Sequence, residues 1–225
     1  MPAVGRIRKF SRAIGRHAIP NNQPYPAPQP SIKTAENQNA YNASQAAYHR
    51  DDTHHKKLLA SGYTHDQELS GDAQQVYHHP TSKHTLIGYK GTSGGPNAAG
   101  DLAADLNIGI GSQRRTGAFK SSQDIHDRAV KKYGDNVTVT GHSLGGTKAI
   151  EAARGNSKTK SIAFNPGSGV AGLDAGDSKV FRRQGDTVSE RTYGKNVTKF
   201  KSKGVPVITN LLANHSLHAF ENDLF

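Results

Sequence analysis

NVTVTGHSLG, residues 136–145, is the stretch that decides the fold. Its segment VTVT, residues 137–140, consists of β-branched residues and predicts a short strand. GHSLG, residues 141–145, follows at once and fits the pattern G-x-S-x-G. The residues from Thr147 to Arg154 then have the composition of a helix. A strand, a tight glycine turn and a helix predict a nucleophile elbow, the sharp turn that presents a serine hydroxyl above the edge of a sheet.

The two glycines of this motif have a steric reason to be there. Gly141 and Gly145 flank Ser143, and a Cβ at either position would clash with backbone that must pass close to the turn. The same turn directs the N–H of Leu144 toward the place where an oxyanion would form. A phosphate-binding loop is a poor alternative, because the chain has no G-x-x-x-x-G-K-[ST] pattern.

The composition limits the class of protein. A chain of 225 residues is long enough for one well-buried domain with additional segments, although 33% hydrophobic residues and no tryptophan predict a modest core. The absence of cysteine excludes disulfides, thiolate metal sites and a cysteine nucleophile. No apolar run approaches 18 residues, and the N-terminus lacks the apolar core of a secretory signal peptide. We therefore expect no membrane span; an intracellular or a virion-associated location fits this pattern.

The charge is concentrated at the N-terminus. The net charge is +11, and residues 1–35 contain six Lys or Arg and no acidic residue. Residues 1–19 have the pattern of a basic amphipathic helix, which suits an anionic membrane surface, nucleic acid, a transit peptide or a solvated tail without a partner. The proline-rich residues 20–30 predict an extended linker. The chain is therefore expected to divide into a flexible segment, residues 1–33, and a folded domain, residues 34–225.

The pattern of the remaining chain indicates an α/β protein. Helical patterns at residues 34–61 and 122–133 alternate with a hairpin and with strand-like segments, which are residues 73–77, 85–89, 161–164, 179–183, 196–200 and 205–209. This alternation predicts a mainly parallel sheet covered by helices on both faces. His49, His54 and His55 stand near Asp51 and Asp52, but no spaced zinc motif is present. We expect neither a metal nor a cofactor.

A serine nucleophile needs a base and a carboxylate that orients the base. Asp186 follows the strand-like residues 179–183 in the turn sequence Gly-Asp-Thr, where it can reach a histidine, whereas Asp174 and Asp177 precede that strand. Two histidines follow near the C-terminus, His215 and His218, and the pattern of residues alone leaves both open as the base.

Six short segments also stand in a characteristic order: GYKGT (88–92), ADL (104–106), VTGHSLGG (139–146), AFNPG (163–167), GDTV (185–188) and NHSL (214–217). In this order they resemble motifs of the class 3 lipases, the fungal-lipase-like α/β-hydrolases, over about residues 63–225. AFNPG departs from the F-G-x-P form of that family, and GDTV lacks the proline that usually follows. Compact members of this kind occur among large DNA viruses, and the short chain with its basic tail is similar to them.

The resemblance implies a function and a role for each matching residue. It implies a lipase, phospholipase or esterase that cleaves carboxylic esters with Ser143 as nucleophile, Asp186 as the orienting acid and His215, rather than His218, as base. Thr92 would complete the oxyanion hole with the N–H of Leu144, and Asp105 would support Thr92.

The glycine-rich residues 93–99 would hinge a small lid over residues 93–106. The expected substrate is a lipid or a small acyl ester, with an anionic membrane contacted through residues 1–19; contact of the tail with nucleic acid is the weaker expectation. The competing hypothesis is an interaction protein, bound to a membrane or to nucleic acid, on a catalytically silent hydrolase fold.

Overall fold

The computed structural model describes residues 32–48, 52–92, 117–169, 171–202 and 214–225. These residues belong to one compact unit, residues 32–225. The predicted basic helix, the proline-rich linker, the predicted lid with Asp105 and the predicted strand at residues 205–209 lie outside the described residues. The division into residues 1–33 and 34–225 therefore stays a prediction.

The centre of the described chain is a sheet. Its strands are β1 Thr64–His65, β2 Gln74–His79, β3 His84–Tyr89, β4 Val137–His142, β5 Lys160–Phe164, β7 Lys179–Arg183 and β9 Asn196–Phe200. They lie in the order β1-β2-β3-β4-β5-β7-β9. The first two pairs, β1 with β2 and β2 with β3, are antiparallel, and every later pair in this order is parallel. Two short strands, β6 Leu173–Asp174 and β8 Thr192–Tyr193, form a separate parallel pair.

Helices cover both faces of this sheet. The described helices are α1 Ala35–Ala46, α2 Thr53–Ala60, α3 Gly117–Tyr133, α4 Leu144–Arg154, a 3-10 helix at Leu217–Phe220 and α5 Glu221–Leu224. On one face α3 and α4 pack against Val137 and Val139 of β4. On the other face α1 and the C-terminal helices pack against Ile162 and Phe164 of β5. Ala163, between these two residues of β5, packs instead with Ile150 of α4, as the two-residue period of a strand requires.

The fold class predicted from the sequence is confirmed: the sheet is mainly parallel and has helices on both faces. The predicted hairpin is present as β2 and β3. Two boundaries differ from the prediction. The helical segment at residues 34–61 is two helices, and α3 begins five residues before the predicted start at Ser122. The first turn of α3 buries only Phe119 among the residues whose burial is described, so the apolar period is weak there.

Within the described ranges, no helix combines the length and the apolar character needed to cross a bilayer.

Candidate active site

Ser143 is the single residue between the end of β4 and the start of α4. Its backbone has φ 58° and ψ −128°, a combination that L-residues rarely adopt. Three hydrogen bonds hold this conformation: the Ser143 N–H donates to the Phe164 carbonyl at 3.2 Å, and the Ser143 carbonyl accepts the N–H groups of Gly167 at 3.1 Å and Thr147 at 3.2 Å. The predicted strand, turn and helix therefore form a strained elbow with the serine at its tip.

The glycines of the elbow pack against backbone atoms. A Cβ placed on Gly141 would lie 2.4 Å from the carbonyl oxygen of Gly145. A Cβ placed on Gly145 would lie 2.2 Å from the carbonyl oxygen of Tyr89 and 2.9 Å from the nitrogen of Gly91. The steric argument made from the sequence thus holds at both positions, and the close approach brings the end of β3 against the start of α4.

His215 lies between Ser143 and Asp186. Its Nε2 is 2.9 Å from the Ser143 Oγ, and its Nδ1 is 3.1 Å from each carboxylate oxygen of Asp186. The carboxylate accepts the proton on Nδ1, which leaves Nε2 as an acceptor for the serine hydroxyl. Both Ser143 and His215 are buried, so little water competes for these hydrogen bonds.

Asp186 is fully buried, with 0% of its surface exposed, in the turn that follows β7. Desolvation by burial acts to raise the pKa of its carboxyl group. The hydrogen bond and the charge of His215 act in the opposite direction, together with the Ser189 hydroxyl at 2.6 Å and the Val188 N–H at 3.1 Å. These effects outweigh desolvation, and the pKa of Asp186 lies below its ordinary value. The carboxylate is therefore charged at neutral pH and can stabilise an imidazolium.

The other acid and base candidates lie elsewhere. The side chain of His218 is exposed, and its Nδ1 is 3.3 Å from the Nε2 of Gln45. Asp174 belongs to the short strand β6, and Asp177 pairs with Lys195 at 2.8 Å. The structure brings Ser143, Asp186 and His215 together and leaves these three residues outside the cluster.

The segment GYKGT passes directly beside Ser143. A Cβ on Gly91 would lie 3.3 Å from the Ser143 Cβ, and the half-buried Thr92 follows Gly91 in the chain. The segment is also bonded to α4, because the buried Lys148 side chain donates to the Lys90 carbonyl at 3.2 Å. Burial lowers the pKa of Lys148. Leu144 is the first residue of α4, where N–H groups have no partner inside the helix. The Leu144 N–H therefore lies next to the serine at the start of α4, and the roles of Leu144 and Thr92 as oxyanion donors stay predictions.

His142 and Tyr48 form a contact at the site that the sequence did not indicate. His142 donates from Nε2 to the backbone carbonyl of His215, and its Nδ1 accepts from the Tyr48 hydroxyl at 3.0 Å. The motif leaves position 142 unspecified, and Tyr48 is 94 residues away in the chain, so no local pattern indicates the contact. The pair supports the segment that carries His215.

The histidines near residue 50 make hydrogen bonds where the structure describes them. His54 contacts the Oδ1 of Asn42 at 2.9 Å, and His55 contacts the Tyr77 hydroxyl at 3.0 Å. His49 and Asp51 lie outside the described residues. Among the residues that are described, no group of three or more His, Cys, Asp or Glu side chains is arranged to hold a metal ion.

Comparison with known proteins gives a likeness in fold. No protein-family model matches the sequence, and no curated protein matches it either. Among solved structures, M37 lipase superposes with a TM-score of 0.57 at 12% identity over 84% of this chain and 93% of that one. More distant likenesses are Lip2 lipase from Yarrowia lipolytica (TM-score 0.47, 14% identity, 68% of this chain and 71% of that one) and a triacylglycerol lipase from Penicillium expansum (TM-score 0.40, 16% identity, 76% and 80%).

At this identity the likeness to M37 lipase concerns the fold. The chain has a lipase-like α/β-hydrolase fold. Membership of the class 3 lipase family and a viral origin both stay predictions.

Proposed function

We propose that the protein is a serine hydrolase that cleaves carboxylic ester bonds of lipids or of small acyl esters. The observation that carries the proposal is the unbroken chain of hydrogen bonds from the Ser143 hydroxyl through His215 to the buried Asp186 carboxylate. An activated serine nucleophile needs a base within hydrogen-bond reach and an acid that orients the base. Here a strained elbow presents the serine, and the acid is buried.

The proposed mechanism assigns a step to each residue of this chain of hydrogen bonds. The Ser143 Oγ attacks the ester carbonyl while Nε2 of His215 takes the hydroxyl proton, and the resulting imidazolium faces the Asp186 carboxylate. His215 then protonates the leaving alcohol, which leaves an acyl group on Ser143. A water molecule then attacks this acyl-enzyme while His215 takes a proton from the water. His215 returns that proton to the Ser143 Oγ as the bond to the acyl carbon breaks, and the carboxylic acid leaves.

The oxyanion of each tetrahedral intermediate needs hydrogen-bond donors. The Leu144 N–H, at the positive end of α4, is the first donor, and Thr92 on the segment beside the serine is the second. Loss of one such donor typically costs about 3 kcal/mol, or roughly 10²–10³ in rate. Asp105 is assigned as the support of Thr92 by the resemblance to the class 3 lipases.

The charge of the chain favours a substrate at an anionic surface. A net charge of +11 attracts acidic lipid headgroups, and residues 1–19 have the pattern of a membrane-surface helix. We therefore place phospholipids beside small acyl esters as substrates.

The test compares two serine variants with the wild type on p-nitrophenyl butyrate and on vesicles of an anionic phospholipid. Ser143→Ala is expected to remove activity on both substrates, with kcat lower by about 10⁶, because nucleophile and base act as a unit. Ser161→Ala is the matched control. Ser161 is a buried serine of β5 whose Oγ has no hydrogen-bond partner among the described residues, so its removal should leave kcat unchanged.

Equal activity of wild type and Ser143→Ala would refute the proposal, and so would a folded wild type that is inert on both esters. The competing hypothesis, an interaction protein on a catalytically silent hydrolase fold, would then be favoured. Flotation with anionic vesicles, with and without residues 1–19, would test its membrane-binding form.

A further inference from the structure

Asn165 lies where the segments carrying Ser143, Asp186 and His215 meet. It directly follows Phe164, whose carbonyl accepts the Ser143 N–H. Its own side chain is fully buried, with 0% of the residue exposed. The hydrogen bonds of that side chain extend to the other two segments.

One bond reaches the segment of the base. The Asn165 Nδ2 donates to the backbone carbonyl of Asn214 at 2.6 Å. This carbonyl belongs to the peptide group that joins Asn214 to His215, and peptide groups are planar. A fixed carbonyl therefore fixes the peptide plane that contains the His215 Cα, the atom that carries the His215 side chain.

The second bond reaches the segment of the acid. The Asn165 Oδ1 accepts the backbone N–H of Arg183 at 2.9 Å, three residues before Asp186. The Ser189 hydroxyl lies between Asn165 and Asp186, 3.4 Å from the former and 2.6 Å from the latter. The Ser189 hydroxyl has one proton, and it donates that proton to Asp186, the nearer of the two acceptors. The Asn165 Oδ1 is therefore held in place by the N–H of Arg183.

These partners also determine which way the amide faces. An N–H group can only donate and a carbonyl can only accept, so the atom facing Arg183 is the oxygen and the atom facing Asn214 is the nitrogen. Both ends of the amide are needed, and neither Asp nor Leu could replace Asn without losing a partner.

The backbone of Asn165 also suits an asparagine. Its φ is 40°, in the left-handed region that Asn and Gly tolerate better than other residues. This residue stands within AFNPG, one of the segments in which the chain departs from the class 3 lipase pattern.

We propose that Asn165 is a positioning residue that sets the relative placement of His215 and Asp186 beside Ser143. The inference rests on the proposed function, since it assigns a role within that site. Asn165 is not a catalytic residue. It acts through the backbone of residues 183 and 214, and its loss should therefore lower kcat and leave KM nearly unchanged.

The experiment uses the full chain with two substitutions at this position. Asn165→Gly keeps the left-handed backbone accessible and removes both hydrogen bonds. Asn165→Asp keeps the size and the acceptor but places a carboxylate oxygen against the Asn214 carbonyl. The matched control is Asn42→Ala, which removes a buried asparagine of α1 that contacts His54 at 2.9 Å, outside the site.

The main measurement is the rate at which a fluorophosphonate probe labels Ser143 at pH 8 and 15 °C, with circular dichroism to verify folding. A displacement of His215 by about 1 Å costs on the order of 10²-fold. Both Asn165 variants are therefore expected to be labelled roughly 10- to 100-fold more slowly, with KM for p-nitrophenyl butyrate within about threefold of the wild type. Asn42→Ala should be labelled at the wild-type rate.

Folded Asn165 variants that are labelled at the wild-type rate would overturn the inference. An equal slowing in Asn42→Ala would do the same, because it would show a general effect of destabilisation. If Asn165→Gly does not fold, the labelling rate of the near-isosteric Asn165→Asp tests the inference.

A wild type that is not labelled at Ser143 would count against the proposed function instead. The positioning role is then read from the NMR signal of the His215 Nδ1 proton, which needs no catalysis. The signal should be present in the wild type and in Asn42→Ala and lost in both Asn165 variants; its persistence in those variants would overturn the inference.

Discussion

Replacing Gly145 by alanine tests the packing that places the elbow. The added Cβ would lie 2.2 Å from the Tyr89 carbonyl oxygen and 2.9 Å from the Gly91 nitrogen. Both are backbone atoms, so no side chain can rotate away. Ordinary contacts between such atoms are about 3.5 Å, and the end of β3 must therefore move from α4 by about 1 Å.

The cost can be estimated for stability and for catalysis. Overpacking of a well-packed site typically costs 1–3 kcal/mol, and a backbone clash belongs at the upper end, so we expect the free energy of unfolding to fall by about 3 kcal/mol. For a domain of this size, that is a decrease in Tm of roughly 6–12 °C. The moving segment carries Thr92, the proposed oxyanion donor, and a displacement of Thr92 by about 1 Å should lower kcat by about 10².

Urea unfolding and ester hydrolysis measure the two effects, and two other glycines calibrate them. Gly155, where a Cβ would meet nothing within 4 Å, should change stability by less than about 0.5 kcal/mol when replaced by alanine. Gly146, where the nearest atom would be 3.0 Å away, should fall between Gly155 and Gly145. Wild-type stability and kcat in Gly145→Ala would refute the packing argument.

Two further predictions concern charge. Asp186→Asn should lower kcat by about 10³–10⁴. An amide that donates to Nδ1 of His215 forces the ring proton onto Nε2, which can then no longer accept the proton of the Ser143 hydroxyl. Steady-state hydrolysis measures the change in kcat, and a loss below tenfold would contradict the prediction. Stability should fall as the pH decreases from about 7 to 5. Desolvation by burial, followed by nearby positive charges, lowers the pKa values of His55, His78 and His84, so the unfolded chain binds protons near pH 6.5 while the folded chain resists them. The lowered pKa of Asp186 adds a loss only below about pH 4. Urea midpoints across this range provide the measurement, and a midpoint that does not change between pH 7 and 5 would count against the reasoning.

Much of the fold could be predicted because its signals are local. The β-branched residues of β4, the glycine turn and the helix after it are consecutive, so the elbow could be identified from one short stretch. The alternation of strands and helices likewise indicated the parallel sheet. Boundaries were less accurate where burial is weak, as at the first turn of α3, because an apolar period is visible only where side chains face a core.

The sequence by itself determined the turn at Ser143 and the need for glycine on both sides of it, because backbone strain and steric exclusion act between near neighbours. The residue pattern alone left His215 and His218 open, and only the tertiary structure decided which of them meets the serine and what holds it there. His215 is 72 residues from Ser143 and 29 from Asp186, and Asn165 reaches Asn214 across 49 residues. Such contacts depend on how the ends of separate strands meet at one edge of the sheet, and no local pattern specifies that meeting.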